Sequence, residues 1–508
     1  MLNPTDIAVF VGFFVIVVGI SIFKGRHRET GEQYFLAGRG LPWWIVGISL
    51  IAANISSEQF VGMNGGAAGN DGLAIASYDW IAAITLVIVA IWFLPRLLRC
   101  GIYTIPEYLE YRFSAPARGI MSVYMLVIYV GVTISAVLYA GGLTIHTIFG
   151  WDLTYSVYLV GAIAAIYTTY GGLKSVVWAD LFQGIALILG GLLVAYLGFQ
   201  AVGGIEAFRQ NNADKLHMVL PGDHGHLPWT ALILGIWIPN LYYWGFNQYI
   251  AQRTLAARSL KDGQLGVLMA AGIQVILPLA IVIPGIIAFQ LYPEVREHPD
   301  KAFPMLIREL LGPGLRGFIF AAIAGAIISS LASMLNSAST IFTMDIYKRY
   351  LEKNPPQQRL IWTGRLITII CVVIGCSIAP HLGSFEGIFK FMQDLQGYVS
   401  PGILATFIFG FFVKRSPPAA AITGLLLCVP VYGILHLNYF ENICFLDKQA
   451  ITFIVVIFAM TIISLLRPLP APVKMPVNEE FDMTSSPIVK VIGVTIVTVT
   501  VALYVVFF

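Results

Sequence analysis

Charged residues are scarce in this sequence. Only 11% of its 508 residues are Asp, Glu, Lys or Arg, whereas 58% are hydrophobic. Because an average soluble domain carries roughly 25% charged residues, this composition excludes an ordinary water-soluble protein. Long apolar runs recur from end to end and predict an integral membrane protein. The net charge of +3 and the lack of a basic cluster argue against a nucleic-acid partner.

Signatures of catalysis and of metal binding by thiolates are also missing. The five cysteines are scattered and form no CxxC pair, so neither a disulfide framework nor a thiolate site is expected. The sequence has no HExxH, no P-loop and no GxSxG motif, which argues against an enzyme and against an organic cofactor. The first apolar run, residues 7–23, lacks the basic start and the cleavage site of a signal peptide, and is predicted to be a retained helix.

The apolar runs predict an all-α polytopic protein. A span needs about 20 apolar residues. Fourteen such windows are centred near residues 15, 55, 84, 133, 163, 187, 239, 278, 332, 372, 399, 427, 459 and 498. With the N-terminus outside, most of the 30 basic residues fall in cytoplasmic loops, Arg96, Arg253 and Lys348 among them. Both termini, and the polar loops near 205–226 and 292–314, are therefore predicted outside.

Two of these spans are interrupted by polar residues. The second breaks at "NISSEQ", residues 54–59, and the seventh at "PNLYYWGFNQ", residues 239–248, where Pro239 removes a backbone donor. The interruptions are five spans apart, so spans 2–6 and 7–11 form two blocks of opposite orientation. Interrupted helices at matching positions of two halves indicate a transporter site near the middle of the membrane. Two merely kinked helices are the alternative.

Further polar residues lie within apolar runs. Asp79 opens the third span and Asp180 lies in the sixth; acids inside a membrane are functional candidates by default, with a structural ion pair as the alternative. In the ninth span, the hydroxyls of Ser329 and Ser330 point about 100° apart on a helix. Two such oxygens, with carbonyls from an unwound segment, can hold a hard cation. The alternative is that the serines only allow close helix packing.

Several longer stretches resemble one family. "EQYFLAGRGLPWW", "LIAANISSEQFVGM", "GIYTIPEYLEYRF", "YGGLKSVVWADLFQ", "NLYYWGFNQYIAQRTLAARS", "SSLASMLNSASTIFTMDIYK" and "VSPGILA" are similar to the sodium/solute symporter family, and specifically to its bacterial sodium/sugar transporters. The resemblance implies a secondary transporter, not an enzyme, that couples inward sodium movement to solute uptake by alternating access. Sodium is then the coupling ion, and no other cofactor is implied.

The resemblance also implies a fold and a location. The fold is a 5+5 inverted repeat (LeuT-like) with one extra helix before it and three after it. Residues 1–41 form the extra helix and a loop, 42–226 the first repeat, 227–416 the second repeat and 417–508 the peripheral helices. The implied location is a plasma membrane, in a bacterium the cytoplasmic (inner) membrane. The oligomeric state is left open.

The site residues carry over position by position. Sodium is implied at Ala52, Ile55, Ala326, Ser329 and Ser330, with Asp180 on the sodium path. The solute is implied at Asn54, Gln59, Tyr78, Asp79, Asn240, Gln274 and Gln393. The implied gates are Met63 and Phe389 outside and Tyr243 beneath the solute. Glu58 has no role in this assignment.

Chemistry favours a neutral, hydroxylated solute at these positions. Asn and Gln both donate and accept, and no Lys or Arg is present to neutralise an anion. Three positions depart from galactose-transporting relatives: Gln274 stands in place of Lys, Asp79 in place of Glu and Ala82 in place of Ser. We therefore expect a sugar or polyol and leave its identity open. The alternatives are a sodium-coupled carrier of inositol or an amino acid, and a sodium-conducting channel or sensor.

Overall fold

The computed structural model describes residues 3–24, 31–55, 59–384, 388–479 and 481–508 of the chain. These ranges are predominantly helical, as the composition predicts. Glu58, to which the sequence assigned no role, lies outside the described residues.

The helices of the first part of the chain alternate between long apolar segments and short connecting segments. They are α1 (Pro4–Lys24), α2 (Gly31–Leu36), α3 (Trp43–Asn54), α4 (Asn64–Ala68), α5 (Ser77–Ile88), α6 (Leu94–Arg99), α7 (Ile105–Arg112), α8 (Ala115–Ile128), α9 (Ile134–Phe149), α10 (Leu153–Ala201) and α11 (Ile205–Asn211).

The second part of the chain has the same character. Its helices are α12 (Trp237–Phe246), α13 (Gln248–Leu255), α14 (Leu260–Leu291), α15 (Pro293–Glu297), α16 (Ala302–Leu310), α17 (Leu315–Ile341), α18 (Gln357–Ile378), α19 (Ile388–Gln396), α20 (Ser400–Phe412), α21 (Pro418–Ile434), α22 (Phe445–Leu466) and α23 (Ile488–Val506). Five π-helical segments join or extend these helices: Gln59–Met63, Val89–Phe93, Tyr129–Thr133, Ala231–Gly235 and Phe342–Leu351.

The helices include enough long apolar segments for a polytopic membrane protein. Within the described ranges, 8 helices are long and apolar enough to cross a membrane, and two bent helix pairs raise this number to 10. Four shorter apolar helices lie at Pro4–Val17, Leu153–Ile166, Ala231–Phe246 and Pro418–Ile434. The membrane class is thus as predicted, whereas the count of fourteen spans stays a prediction.

The first predicted interruption coincides with a sharp bend. The helix pair Trp43–Asn54 and Gln59–Ala68 is bent by 61°. At Ile55 the backbone leaves the helix, with φ −75° and ψ 95°. The last carbonyls of a helix have no partner within it, so the end of α3 offers backbone oxygens to a ligand.

The second interruption lies inside the predicted stretch 239–248, near its end. Pro239 itself lies within the helical stretch Ala231–Phe246 and does not end it. The helix instead ends at Phe246; Asn247 is extended, with φ −73° and ψ 123°, and α13 begins at Gln248. The Asn247 side chain accepts a hydrogen bond from the Tyr129 hydroxyl, which holds the break against the segment between α8 and α9.

A third interruption escaped the sequence analysis. The helices α19 and α20 form one apolar pair that is bent by 45° across residues 397–399. Phe389 and Gln393 lie on α19, before this bend. An implied gate and an implied solute ligand therefore belong to a short helix whose axis differs from that of α20.

The long central helices pack closely because small residues face each other. A Cβ added at Gly184 of α10 would lie 2.7 Å from the Ala52 Cβ of α3, and one added at Gly191 would lie 2.6 Å from the Ala280 oxygen of α14. Small residues permit such contact in membrane proteins. The arrangement places the end of α3 against α10, and α17 packs against both helices.

Each end of the chain contacts a loop that was predicted outside, or the residues directly after it. The Asp6 carboxylate accepts hydrogen bonds from the backbone N–H groups of Gly314 and Gly317. The backbone N–H of Met218 donates to the Phe507 oxygen at 2.8 Å. The placement of these loops, and with them of both ends, on the outside stays a prediction.

Candidate functional site

A cavity near the centre of the molecule brings together the residues that the resemblance implied for solute binding and gating. Its empty space, counted together with adjoining open space, is about 610 Å³. All ten implied residues line it: Asn54, Gln59, Met63, Tyr78, Asp79, Asn240, Tyr243, Gln274, Phe389 and Gln393. They come from α3, α5, α12, α14, α19 and the π-helical segment Gln59–Met63, so the cavity forms only when both halves of the chain pack together.

One wall of this central cavity is a chain of polar side chains. The Asn54 amide donates to the Gln59 side-chain oxygen at 3.2 Å, and the Gln59 amide donates to Asp79 Oδ1 at 3.0 Å. The chain joins the broken first helix to α5. Asn240 is tethered on the opposite side, because its side-chain amide donates to the Ile236 oxygen at 3.0 Å.

Several buried polar atoms of the lining have no hydrogen-bond partner among the described residues. They are Asp79 Oδ2, both side-chain polar atoms of Gln274 and Gln396 Oε1. Leaving a buried polar group unpaired costs about 1–3 kcal/mol. Four such atoms, contributed by three residues of one cavity, indicate that the cavity is built for a polar ligand that supplies the missing partners.

The implied outer gate separates the central cavity from a larger opening, which we call the vestibule. Its empty space is about 1800 Å³, and Tyr78 and Phe389 line both spaces. The two rings meet edge to face, with centroids 5.0 Å apart. A Cβ added at Gly62 would lie 2.6 Å from the Phe389 Cβ, so only glycine lets α19 approach this closely. Met63 is fully buried beside them.

Polar and charged groups line the vestibule. Asp300, Lys301 and His226 come from the loops that were predicted outside, and Asp71 and Lys390 line it as well. Burial raises the pKa of Asp300 from 3.8 to about 6. The Asp300 Oδ1 would lie 2.6 Å from a Cβ added at Gly65. The approach to the central cavity is therefore polar and of mixed charge.

The implied inner gate is held by a second aromatic residue. The Tyr249 hydroxyl donates to the Tyr243 hydroxyl at 2.6 Å, and the backbone N–H of Tyr249 donates to the Tyr129 hydroxyl at 3.2 Å. Since Tyr243 lies before the break at Asn247 and Tyr249 after it, this contact spans the interruption of the second broken helix.

The five residues implied for sodium are all buried. Ala52 and Ile55 lie at the end of α3, and Ala326, Ser329 and Ser330 lie on α17, which is in contact with α3. The Ser330 hydroxyl has no hydrogen-bond partner among the described residues. No three His, Cys, Asp or Glu side chains in the described ranges are grouped to hold a metal ion. A cation bound between the end of α3 and α17 at these residues would meet hydroxyl and carbonyl oxygens, which are ligands of hard cations.

Asp180 adjoins these residues but is already paired with a cation. Its oxygens accept hydrogen bonds from Ser329 Oγ, from Ser49 Oγ at 2.6 Å and from Arg253 Nη2 at 2.9 Å. The sequence analysis counted Arg253 among the basic residues of a cytoplasmic loop; the structure places it on a short helix between two apolar helices, and its side of the membrane stays a prediction. Arg253 lies on α13 and is 0% exposed. Its burial is possible because the Asp180 carboxylate, which lies far away in the sequence, pairs with it in the fold.

Sequence reasoning missed other residues of the central cavity. Pro239, Trp244, Tyr249, Met392 and Gln396 also line it. One of them left a signal, since Gln396 lies three positions after Gln393 and shares its helix face. Pro239 was noted in the sequence only as part of an interrupted span, and Trp244, Tyr249 and Met392 gave no signal that set them apart from other helix residues.

Comparisons with known proteins show to which family this chain is similar. The model of the sodium:solute symporter family matches residues 34–428. A sodium/glucose cotransporter of Vibrio parahaemolyticus is 42% identical over 91% of both chains, and a sodium/myo-inositol cotransporter 2 of Sus scrofa is 34% identical over 84% of this chain and 69% of its own.

A solved structure agrees as well. The substrate-bound, outward-open state of a sodium-coupled sialic acid symporter superposes with a TM-score of 0.83 at 25% identity, covering 93% of this chain and 99% of its own. The predicted LeuT-like fold with two inverted repeats is thereby confirmed.

Proposed function

Because the chain belongs to the sodium:solute symporter family, a family of secondary transporters and not of enzymes, we propose that it carries a small, neutral, hydroxyl-rich solute, a sugar or a polyol. Sodium is its coupling ion, and the solute occupies the central cavity. The observation that carries the proposal is the set of unpartnered atoms on Asp79, Gln274 and Gln396. Hydroxyls that both donate and accept are the natural partners for carboxyl and amide groups.

The charge of the cavity favours a neutral solute. No Lys or Arg is among the described residues that line it, and Asp79 is its single acid. An anionic solute would lack a counter-ion. An amino acid would find an acceptor for its ammonium group in Asp79 but no cation for its carboxylate.

The aromatic residues of the lining fit a ring-shaped solute. Tyr243, Trp244 and Tyr249 line the same cavity, and the flat faces of such rings pack against the apolar C–H side of a sugar. The relatives named for glucose and for myo-inositol support this class without choosing within it, so inositol stays a candidate beside the sugars.

We propose a sodium site at the end of α3 and on α17, formed by the carbonyls of Ala52, Ile55 and Ala326 and the hydroxyls of Ser329 and Ser330. Sodium bound there would fix the broken helix against α17. That ordering would position Asn54 and Gln59, which are already linked to Asp79 by hydrogen bonds. Sodium and solute would then stabilise each other's binding through one shared segment.

The transport cycle follows from the positions of the gates. Met63 and Phe389 close over the solute, the two repeats rock, and Tyr243 moves to release the solute on the other side. Sodium leaves past Asp180. The proposed repeats are residues 42–226 and 227–416, and the proposed location is the plasma membrane with both termini outside.

The driving force is sufficient for accumulation. One sodium charge that moves through about 100 mV gains roughly 2.3 kcal/mol. At about 1.4 kcal/mol per factor of ten, this supports roughly 50-fold accumulation of a neutral solute before the sodium gradient is added.

A panel of solutes tests the proposal. Purified protein in liposomes is given a sodium gradient and radiolabelled glucose, galactose, myo-inositol or an amino acid. We expect sodium-dependent uptake of a sugar or of inositol. Uptake of the amino acid alone would overturn the assignment of the solute, and sodium flux with no accumulation of any solute would favour the channel alternative.

A further inference from the structure

A groove between α10 and α18 lies apart from the central cavity and the vestibule. Its empty space, counted together with adjoining open space, is about 910 Å³. Thr169 of α10 lines it together with residues of α18: Trp362, Thr363, Arg365, Leu366 and Ile369. Elsewhere the two helices meet closely, since a Cβ added at Gly161 would lie 3.1 Å from a methyl carbon of Val372. The groove is therefore a local opening between two packed helices.

The outer face of α18 is apolar and exposed. Its large side chains Trp362, Leu366, Ile369, Ile370 and Val373 are each at least 42% exposed, and they recur at the three- and four-residue spacing of one helix face. The segment Gln357–Gly383 is long and apolar enough to cross a membrane, so this face meets lipid. An exposed tryptophan near the start of a span is typical of the level of the lipid headgroups. The groove therefore lies where headgroups and acyl chains join.

Arg365 brings a positive charge into this groove without a counter-charge. It is the single charged residue among the described residues of the lining. Its Nε is buried and has no hydrogen-bond partner in the described part of the chain. Other arginines of this region pair with carboxylates: Arg349 with Glu110 at 2.8 Å, and Arg359 with Glu352 at 2.6 Å. Because a charge at membrane depth is costly unless it is paired, an anion from outside the chain would stabilise Arg365.

The Trp362 ring holds the Arg365 guanidinium on the lipid-exposed side of α18. The Arg365 Cζ lies 5.5 Å from the centroid of this ring, a distance at which a cation is attracted to an aromatic face. The Thr169 hydroxyl already donates to the Ala165 oxygen at 2.6 Å, which leaves the guanidinium as the strongest donor in the groove. A guanidinium matches the oxygens of a phosphate with parallel N–H groups.

We propose that this groove binds an anionic phospholipid, with its phosphate at Arg365 and an acyl chain along the exposed face of α18. Charge complementarity favours this occupant, because basic pockets between membrane helices attract anionic headgroups. A zwitterionic lipid carries its own cation beside the phosphate and gains less from Arg365. A free phosphate would leave the apolar face uncovered. The inference depends on neither the solute nor sodium, so it can fail while the proposed function stands.

Native mass spectrometry of the purified full chain tests this inference. The protein in detergent micelles is offered equal amounts of phosphatidylglycerol and phosphatidylcholine, labelled so that their masses differ. We expect the wild type to retain one phosphatidylglycerol more strongly than any further lipid. Arg365→Gln should lower the preference for phosphatidylglycerol about tenfold or more. Equal retention of the two lipids by the wild type would overturn the proposal, because Arg365 would then be satisfied by water at the membrane surface.

Two further variants separate the site from a general loss of charge. Arg359→Gln makes the same change on the same helix, at a side chain that is 58% exposed and paired with Glu352. It should keep the preference, and an equal fall in this variant would overturn the role of Arg365. Ile369→Trp keeps Arg365 and fills the apolar part of the groove, so it should weaken the retention of both lipids. Unchanged retention would refute the position of the acyl chain. If Arg365→Gln does not fold, the wild-type preference and Ile369→Trp still decide.

The same measurement distinguishes other occupants of the groove. Inorganic phosphate and glycerophosphoglycerol carry the anionic group without acyl chains, and neither should displace the retained lipid. Displacement by either would show a site for a free anion and would overturn the lipid assignment. A dimer of the lipid-free wild type that Ile369→Trp abolishes would show that a second copy covers α18, which would also overturn it.

Discussion

Gly62 limits how closely the outer gate can approach the broken helix. A Cβ added at this position would lie 2.6 Å from the Phe389 Cβ and 3.6 Å from its Cα. Carbon atoms in favourable contact are about 3.5–4.0 Å apart, so in Gly62→Ala the start of α19 has to retreat by about 1 Å. The clash involves the base of the side chain, so rotation of the ring does not relieve it.

The expected free-energy cost is that of overpacking a close contact. Forcing an extra methyl group into a close contact costs about 1–3 kcal/mol. If this cost falls on the state in which Phe389 covers the solute, the solute KM rises about 5- to 140-fold at about 1.4 kcal/mol per factor of ten. The assay is the initial rate of sodium-driven uptake in liposomes as a function of solute concentration.

Two controls decide whether the effect belongs to this contact. A Cβ added at Gly272 of α14 meets no atom within 4 Å, so Gly272→Ala should leave the KM unchanged. In a Phe389→Gly background the clashing Cβ is absent, and Gly62→Ala should then cost little, which a double-mutant cycle measures. A KM for Gly62→Ala within twofold of that for Gly272→Ala would refute the gate contact.

Three further substitutions test the sodium site, the solute site and the vestibule. Ser330→Ala removes one proposed ligand and should raise the sodium concentration for half-maximal uptake about tenfold or more. Its Tm without sodium should not fall, because the hydroxyl is buried without a partner among the described residues. An unaltered sodium response would exclude Ser330 as a ligand. Gln274→Leu removes two buried unpartnered atoms, so it should raise the Tm of the solute-free protein by a few degrees. The same change removes a proposed solute ligand and should raise the solute KM. A lower Tm would show that the Gln274 amide is paired in the solute-free protein. Asp300 has its pKa raised from 3.8 to about 6, so its ionisation destabilises the folded protein increasingly from about pH 4 and fully above about pH 6. Asp300→Asn should therefore raise the Tm at pH 7.5 and not at pH 4, and equal effects at both pH values would contradict the burial of this carboxyl group.

The sequence predicted the fold class because its signals are local. Apolar runs of span length predict the helices, and polar residues inside them, such as those near Asn54, mark where a helix cannot continue as an ordinary span. The resemblance supplied ten residues that the structure gathers around one cavity. Their roles in binding remain predictions.

Features that depend on distant partners could not be predicted in this way. Arg253 looks like a loop cation in the sequence, because the carboxylate that accompanies it lies 73 positions away on α10. The second break lies inside the predicted stretch 239–248, but its exact position at Asn247 could not be predicted, because the Tyr129 hydroxyl that donates to the Asn247 side chain is 118 positions away. The bend between α19 and α20 was missed because a three-residue connection interrupts the apolar pattern too briefly to be seen.

Sodium-driven accumulation tests the central claim most directly. Liposomes that contain the purified protein are loaded without sodium and given external sodium with an inside-negative potential, and the internal concentration of a radiolabelled sugar or of myo-inositol is followed. We predict that the internal concentration rises above the external one and that a sodium ionophore abolishes this accumulation. Equilibration of the solute to equal concentrations, or accumulation that potassium supports as well as sodium, would contradict the account.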